Sequence, residues 1–232
     1  MTAIVLPQPA ASVPRRRARL TVAIPVILAA WLLLVLAFGA AGAFIAKAGT
    51  PPLAIALGVL APLTLFFASL RFSRSFREFV LSLDLRLLAA IQAWRWAGLG
   101  FLSLYAHKIL PAVFALPAGL GDMAVGLTAP WMVLALIRQP HFAAERAFIR
   151  WNVLGMLDLV IAVSIGTVST LIASAAPGEI TTAAMSSLPL LLIPGFLVPL
   201  FFMLHVAALM QSRQLVRSGL QTKEKDRVFV IG

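Results

Sequence analysis

The stretch Thr21–Ala46, TVAIPVILAAWLLLVLAFGAAGAFIA, contains no charged side chain from end to end. About 20 apolar residues are what one helix needs to cross the hydrocarbon core of a bilayer. A helix is suited to that task because it satisfies its own backbone groups where no water can. The small residues Gly39–Ala43 imitate a cleavage site. The apolar run is nevertheless well beyond the roughly 7–15 residues of a secretory signal, so a retained spanning helix is expected. Five further runs meet the same length criterion: Pro52–Leu70, Leu87–Ala106, Ala112–Ile137, Trp151–Ala173 and Leu188–Met210. With 61% hydrophobic and only 12% charged residues, the composition is that of a chain built for lipid. The expected fold is an all-α integral membrane protein with six transmembrane helices.

The net charge of +11 raises nucleic acid as a partner, but the placement of the basic residues argues for a membrane orientation instead. When loops are assigned alternately to the two sides, sixteen of the 19 Lys and Arg residues fall on one side, among them Arg15, Arg71, Arg138, Arg146 and Arg213. Only Lys47 and Lys108 fall on the other, and Arg95 remains inside a span. This asymmetry predicts both termini in the cytoplasm, a location in the cytoplasmic (inner) membrane, and attraction of anionic lipids to the basic face. No nucleic acid is expected, because no soluble module is present to carry groove or stacking contacts.

Residues 1–20 read as a disordered basic cytoplasmic segment, 21–210 as the transmembrane domain, and 211–232 as a basic cytoplasmic tail. The segment Arg71–Arg86 places Phe72, Phe76, Phe79, Val80 and Leu83 at helical spacing, with Arg74, Arg77 and Glu78 on other faces. It is expected to form an interfacial amphipathic helix leading into the third span.

Charged or titratable groups at membrane depth cost roughly 2.5–3.5 kcal/mol even on the gentler insertion scales, so their positions are where function is sought. They are Arg95, Asp122 and Asp158, with His205 in the last span. Gly119, Asp122 and Gly126 repeat in form as Gly155, Asp158 and Ala162, a spacing that sets each aspartate in a strip of small residues on one helix face. Counted from the span ends, Arg95 and Asp158 should lie level and form an ion pair. Asp122 should lie nearer the middle or outer half without an ionic partner. Asp122 and His205 are therefore the proton or substrate candidates. Pro194 and Gly195, followed by Pro199, mark a place where the sixth helix is expected to kink or to break. Trp131 and Trp151 look like interface anchors.

The sequence Gly119-Leu120-Gly121-Asp122 resembles the Gly-x-Gly-Asp element of intramembrane aspartyl proteases over four residues. That resemblance implies a second aspartate at matching depth from an earlier span, so that the two share a water and a proton. The only earlier aspartate is Asp84, at the cytoplasmic end of the third span.

No serine elbow, phosphate-binding glycine loop or zinc motif occurs, and the chain has no cysteine. His107 and His205 lie near opposite ends of their spans, too far apart to share a haem. No cofactor and no metal are expected. The functional expectation is a small permease or proton-coupled transporter using the intramembrane aspartates. The alternative is a non-catalytic membrane scaffold or subunit of a larger complex, with a homo-oligomer or an unknown membrane partner compatible with either. An intramembrane protease is the remote reading.

Overall fold

The computed structural model describes residues 15–46, 50–173 and 178–231, with side chains from residue 20 to residue 217. Helix makes up 84% of it, and no strand occurs among the described residues. The helices are α1 (Arg15–Ala40), α2 (Leu53–Phe72), α3 (Arg74–Leu81), α4 (Leu85–Ile91), α5 (Leu99–Ala106), α6 (Ala112–Arg138), α7 (Arg146–Ile172) and α8 (Val198–Ile231). Among the described residues, six segments are long and apolar enough to cross a membrane: Leu20–Ala40, Leu53–Phe72, Leu85–Ala106, Ala112–Arg138, Arg146–Ile172 and Ile193–Arg217. Most of the segment 1–20 and Lys47 lie outside the described residues, although Arg15 already belongs to α1.

Apolar side chains cover the outside of the bundle. Leu33, Leu57 and Leu65 are 65%, 66% and 69% exposed, the inverse of a water-soluble surface and the arrangement that a lipid solvent favours. The interior holds two apolar clusters. One joins Val80, Leu88, Ala129, Phe148 and Ala207 at the α3 end of the bundle, and the other joins Phe101, Leu110, Phe114, Ala118 and Met185 at the opposite end.

Two departures from regular helix shape what lies between these clusters. The third span is not one α-helix, because Gln92–Gly98 is a 3₁₀ segment between α4 and α5. The 3₁₀ rise is about 2.0 Å per residue against about 1.5 Å in an α-helix, so the segment is longer and thinner. In the sixth span the expected start at Leu188 is replaced by turns through Leu191 and a π turn at Ile193–Leu197, which leads into α8. Prolines account for the shift: Pro194 has no N–H to donate, and Pro199 has none for the carbonyl four residues before it. The ladder resumes through Val198, whose N–H reaches the Ile193 carbonyl five residues back. The helix is thus widened at Pro194 and Gly195 rather than opened.

The segment expected as one amphipathic helix over Arg71–Arg86 is divided. Ser73 ends α2 and caps α3, with its Oγ accepting from Phe76 N at 3.2 Å. Asp84 caps α4, with Oδ1 accepting from Arg86 N at 2.8 Å. Short polar side chains that bond the backbone locally stop one helix and start the next. The α3–α4 turn is held from α8 by Gln211, whose Nε2 donates to the carbonyls of Val80 and Leu83, each at 3.0 Å.

Candidate functional site

Arg95 projects from the 3₁₀ segment into the space between the two apolar clusters and is 2% exposed. Burying a guanidinium is tolerable only when its donors are matched. Here Nε donates to Asp122 Oδ1 of α6 at 2.7 Å, and Nη2 donates to Asp158 Oδ2 of α7. Nη1 donates to the Gly155 carbonyl at 3.1 Å and faces His205 Nε2 of α8 at 3.2 Å. One side chain therefore ties the third span to the fourth, fifth and sixth.

Guanidinium is a donor only, so His205 Nε2 accepts and the ring proton sits on Nδ1. Nδ1 in turn donates to Asn152 Oδ1 at 2.9 Å, and Asn152 Nδ2 donates to the Phe148 carbonyl at 2.9 Å. The polar chain runs Arg95, His205, Asn152, backbone. Trp151 lies edge-on to His205 with ring centroids 5.5 Å apart, and its Nε1 donates to Thr128 Oγ1 at 2.8 Å. Expected as an interface anchor, Trp151 is instead buried in the wall of the network. Trp131 is 63% exposed.

Close backbone approach makes this assembly possible. A Cβ added to Gly98 would stand 2.6 Å from Asp122 Cβ, and one on Gly119 would stand 2.9 Å from the Gly98 carbonyl. One on Gly126 would overlap the backbone of Arg95 and Trp96. The 3₁₀ segment thus lies backbone against backbone on α6, as small residues at helix crossings allow. Gly155 leaves room for the His205 ring, and Gly121 leaves room for the Asp158 carboxylate.

The expectation that Asp122 lacks an ionic partner is corrected. The hydropathy reading stopped the fifth span at Trp151, short of Arg150 and Arg146, yet α7 begins at Arg146 and Asp158 lies twelve residues into it. Asp122 lies sixteen residues from the end of α6. The four-residue difference is about 6 Å of helical rise, which a guanidinium donating from Nε on one side and Nη2 on the other bridges. Asn152 was not among the candidates. Its signal was available: it precedes Gly155 by three, which makes the two neighbours on the helix surface.

Asp122 and Asp158 thus approach one another, but with a guanidinium between them, where an aspartyl protease requires a shared water. The glycines of the Gly-x-Gly-Asp element have packing roles against Gly98 and Asp158.

The carboxylates are less enclosed than their partner: the side chain of Arg95 is fully buried, whereas those of Asp122 and Asp158 are 18% and 16% exposed. Asp122 borders a cavity of about 60 Å³, which is also lined by Thr167, Thr170, Thr182 and Pro194. Thr170 and Thr182 hydroxyls are 2.9 Å apart, and Thr182 Oγ1 donates to the Gly166 carbonyl at 3.3 Å. This volume has room for a few waters, and its walls offer them polar partners. His205 is sealed away, at 0% exposure, and Gly195 packs toward Val35 of α1.

The chain matches no curated protein and no solved structure. A family model matches residues 51–213, a region that holds Arg95, Asp122, Asn152, Asp158 and His205. The chain belongs to that family, described as a domain of unknown function (DUF8737).

Proposed function

We propose that the chain is a multi-pass protein of the cytoplasmic (inner) membrane that works as a small permease or proton-coupled transporter, with Asp122 as the exchanging group. The orientation follows from the basic residues: both termini and the α3 corner face the cytoplasm, where α3 lies at the interface, and Lys108 faces outward. The observation that carries the functional reading is that Asp122 belongs to two environments at once. It bonds Arg95 in the sealed interior, and it borders the threonine-lined cavity shared with Pro194. Two carboxylates against one guanidinium leave a single negative charge in excess when both are ionised, and one proton or small cation balances it. The π turn and the 3₁₀ segment add irregular backbone beside this cavity and this cluster, a combination found where membrane helices do work.

A second reading draws on a different observation. Arg95 makes four contacts to three helices, and the His205–Asn152 chain is satisfied to its end. A densely bonded network of this kind serves to specify helix pairing, as in a scaffold or a subunit of a larger complex.

Water access separates the two. The chain has no cysteine, so Thr170→Cys and Asp122→Cys introduce single reactive positions. In proteoliposomes, a small hydrophilic thiol reagent is expected to modify both from one side of the membrane. Thr170→Cys keeps the Arg95 network intact and so guards against a folding artefact at Asp122. Protection of Thr170→Cys from both sides, in protein that remains folded, would remove the transporter reading and leave the scaffold.

A further inference from the structure

Away from the Arg95 network, α1 stands off the bundle. It meets the rest mainly through α3, the π turn and the turns before it, with Gly39 close to Leu188 and Leu191 and Trp31 resting on Phe196 at a centroid distance of 4.6 Å. Between α1 and α2 this leaves a cleft of about 730 Å³, floored by Leu200 and Met203 of α8 and closed at one end by Phe76 and Phe79 of α3. Among the described residues that line it, Ser69 is the one with a hydroxyl group and none is charged. Along α1 the cleft runs from Ile24 to Phe38, about 21 Å by the helical rise. It therefore crosses most of a hydrocarbon core about 30 Å thick. Its shape and lining suit an extended acyl chain.

The end closed by α3 differs in chemistry from the rest. Ser69 and Phe76 line it, and the corner joining α2 to α3 carries Arg71, Arg74 and Arg77, all exposed, against the single acid Glu78. Arg74 is engaged with Glu78 at 3.0 Å, which leaves Arg71 and Arg77 as the charge in excess. A long apolar slot that ends beside a corner whose Arg71 and Arg77 have no acidic partner among the described residues complements an amphiphile with an anionic head and an apolar tail.

We propose that this cleft binds one anionic phospholipid from the leaflet at the α3 end, with an acyl chain between α1 and α2 and its phosphate at Arg71 and Arg77. The site depends on the membrane-spanning reading but not on transport through Asp122. Lipid binding and thiol access at Thr170 therefore succeed or fail separately.

The test is native mass spectrometry of the full chain released from bilayers holding equal amounts of phosphatidylglycerol and phosphatidylcholine. The wild type is expected to retain one phosphatidylglycerol in preference to phosphatidylcholine. The preference should fall roughly fivefold for each arginine removed in Arg71→Gln and Arg77→Gln. Ala61→Trp, which fills the cleft, should lower retention of both lipids. Equal retention of the two lipids by the wild type would overturn the proposal, as would a preference unchanged in the double arginine variant. The arginine variants decide the matter if Ala61→Trp fails to fold.

Discussion

A guanidinium enclosed by helices is stable only while every neighbour that matches it remains in place, and Arg95 has neighbours on three helices. Arg95→Leu leaves Asp122 and Asp158 facing each other without a cation. The expected loss is roughly 3–5 kcal/mol, the range for breaking a buried ion pair from one side. Asp158→Asn should cost less, because Arg95 keeps Asp122, the Gly155 carbonyl and His205. The triple variant Arg95→Leu, Asp122→Asn, Asp158→Asn should be more stable than Arg95→Leu alone, since it leaves no unmatched charge. Denaturant unfolding in micelles measures all three. A triple variant no more stable than Arg95→Leu would show that the arginine acts through packing rather than charge. The Arg95–Asp158 approach was legible by counting depth along two spans. The partnership with Asp122 was not, because hydropathy ends a span at its first charges whereas α7 continues through Arg150 to Arg146.

At the scale of elements, irregular backbone and tight crossings govern how the helices meet. The 3₁₀ segment has no signature in the hydrophobic pattern of the third span. It is made possible by Gly98, Gly119 and Gly126, which let two backbones touch. Gly126→Ala would drive a methyl into the backbone of Trp96, so a loss of about 1–3 kcal/mol is expected from overpacking. Gly100 is the control: a Cβ there meets nothing within 4 Å. Gly100→Ala should be neutral or stabilise α5 by up to about 1 kcal/mol through helix propensity. Similar losses for both in thermal unfolding would refute the close crossing. By contrast, the disturbance at Pro194 was legible, since two prolines within six residues deprive the ladder of two donors. Its form as a π turn depends on which carbonyls the neighbours leave available, and a single stretch of sequence does not carry that.

The start of α4 adds a pH-dependent term. Hydrogen bonds from the Arg86 side chain and backbone hold the Asp84 carboxyl below the usual carboxylate range. A lowered folded-state value means that the ionised cap stabilises the fold above about pH 4, and that this contribution is lost as pH falls through the folded-state value. The Asp84 side chain is 48% exposed, so solvent screening places the cap toward the low end of its range. Asp84→Ala should therefore cost roughly 0.5–1 kcal/mol at pH 7. The gap from wild type should narrow in strong acid, and unfolding curves at the two pH values compare them directly. A gap independent of pH would mean that the carboxylate charge contributes nothing to the cap.

For the molecule as a whole, the number of segments long and apolar enough to span a membrane follows from length and hydropathy, and their boundaries shift mainly where charged residues extend a helix beyond its apolar run, as at Arg146 and Arg213. Orientation rests on a separate physical argument. Sixteen basic residues against two is a bias that insertion reads locally, in short loops close to the span ends, and every loop here but the terminal segments is short. The connection after α6 should accordingly face the cytoplasm, and the connection after α7 should face outward. Gln139 and Ile180 lie in these two connections and are exposed, and neither makes a side-chain bond that caps a helix. With no native cysteine in the background, Ile180→Cys should react with a membrane-impermeant maleimide in intact spheroplasts, and Gln139→Cys only after the membrane is opened. The reverse pattern would place the arginines of the α2–α3 corner outside, against the positive-inside bias, and would assign the Asp122 cavity to the cytoplasmic side.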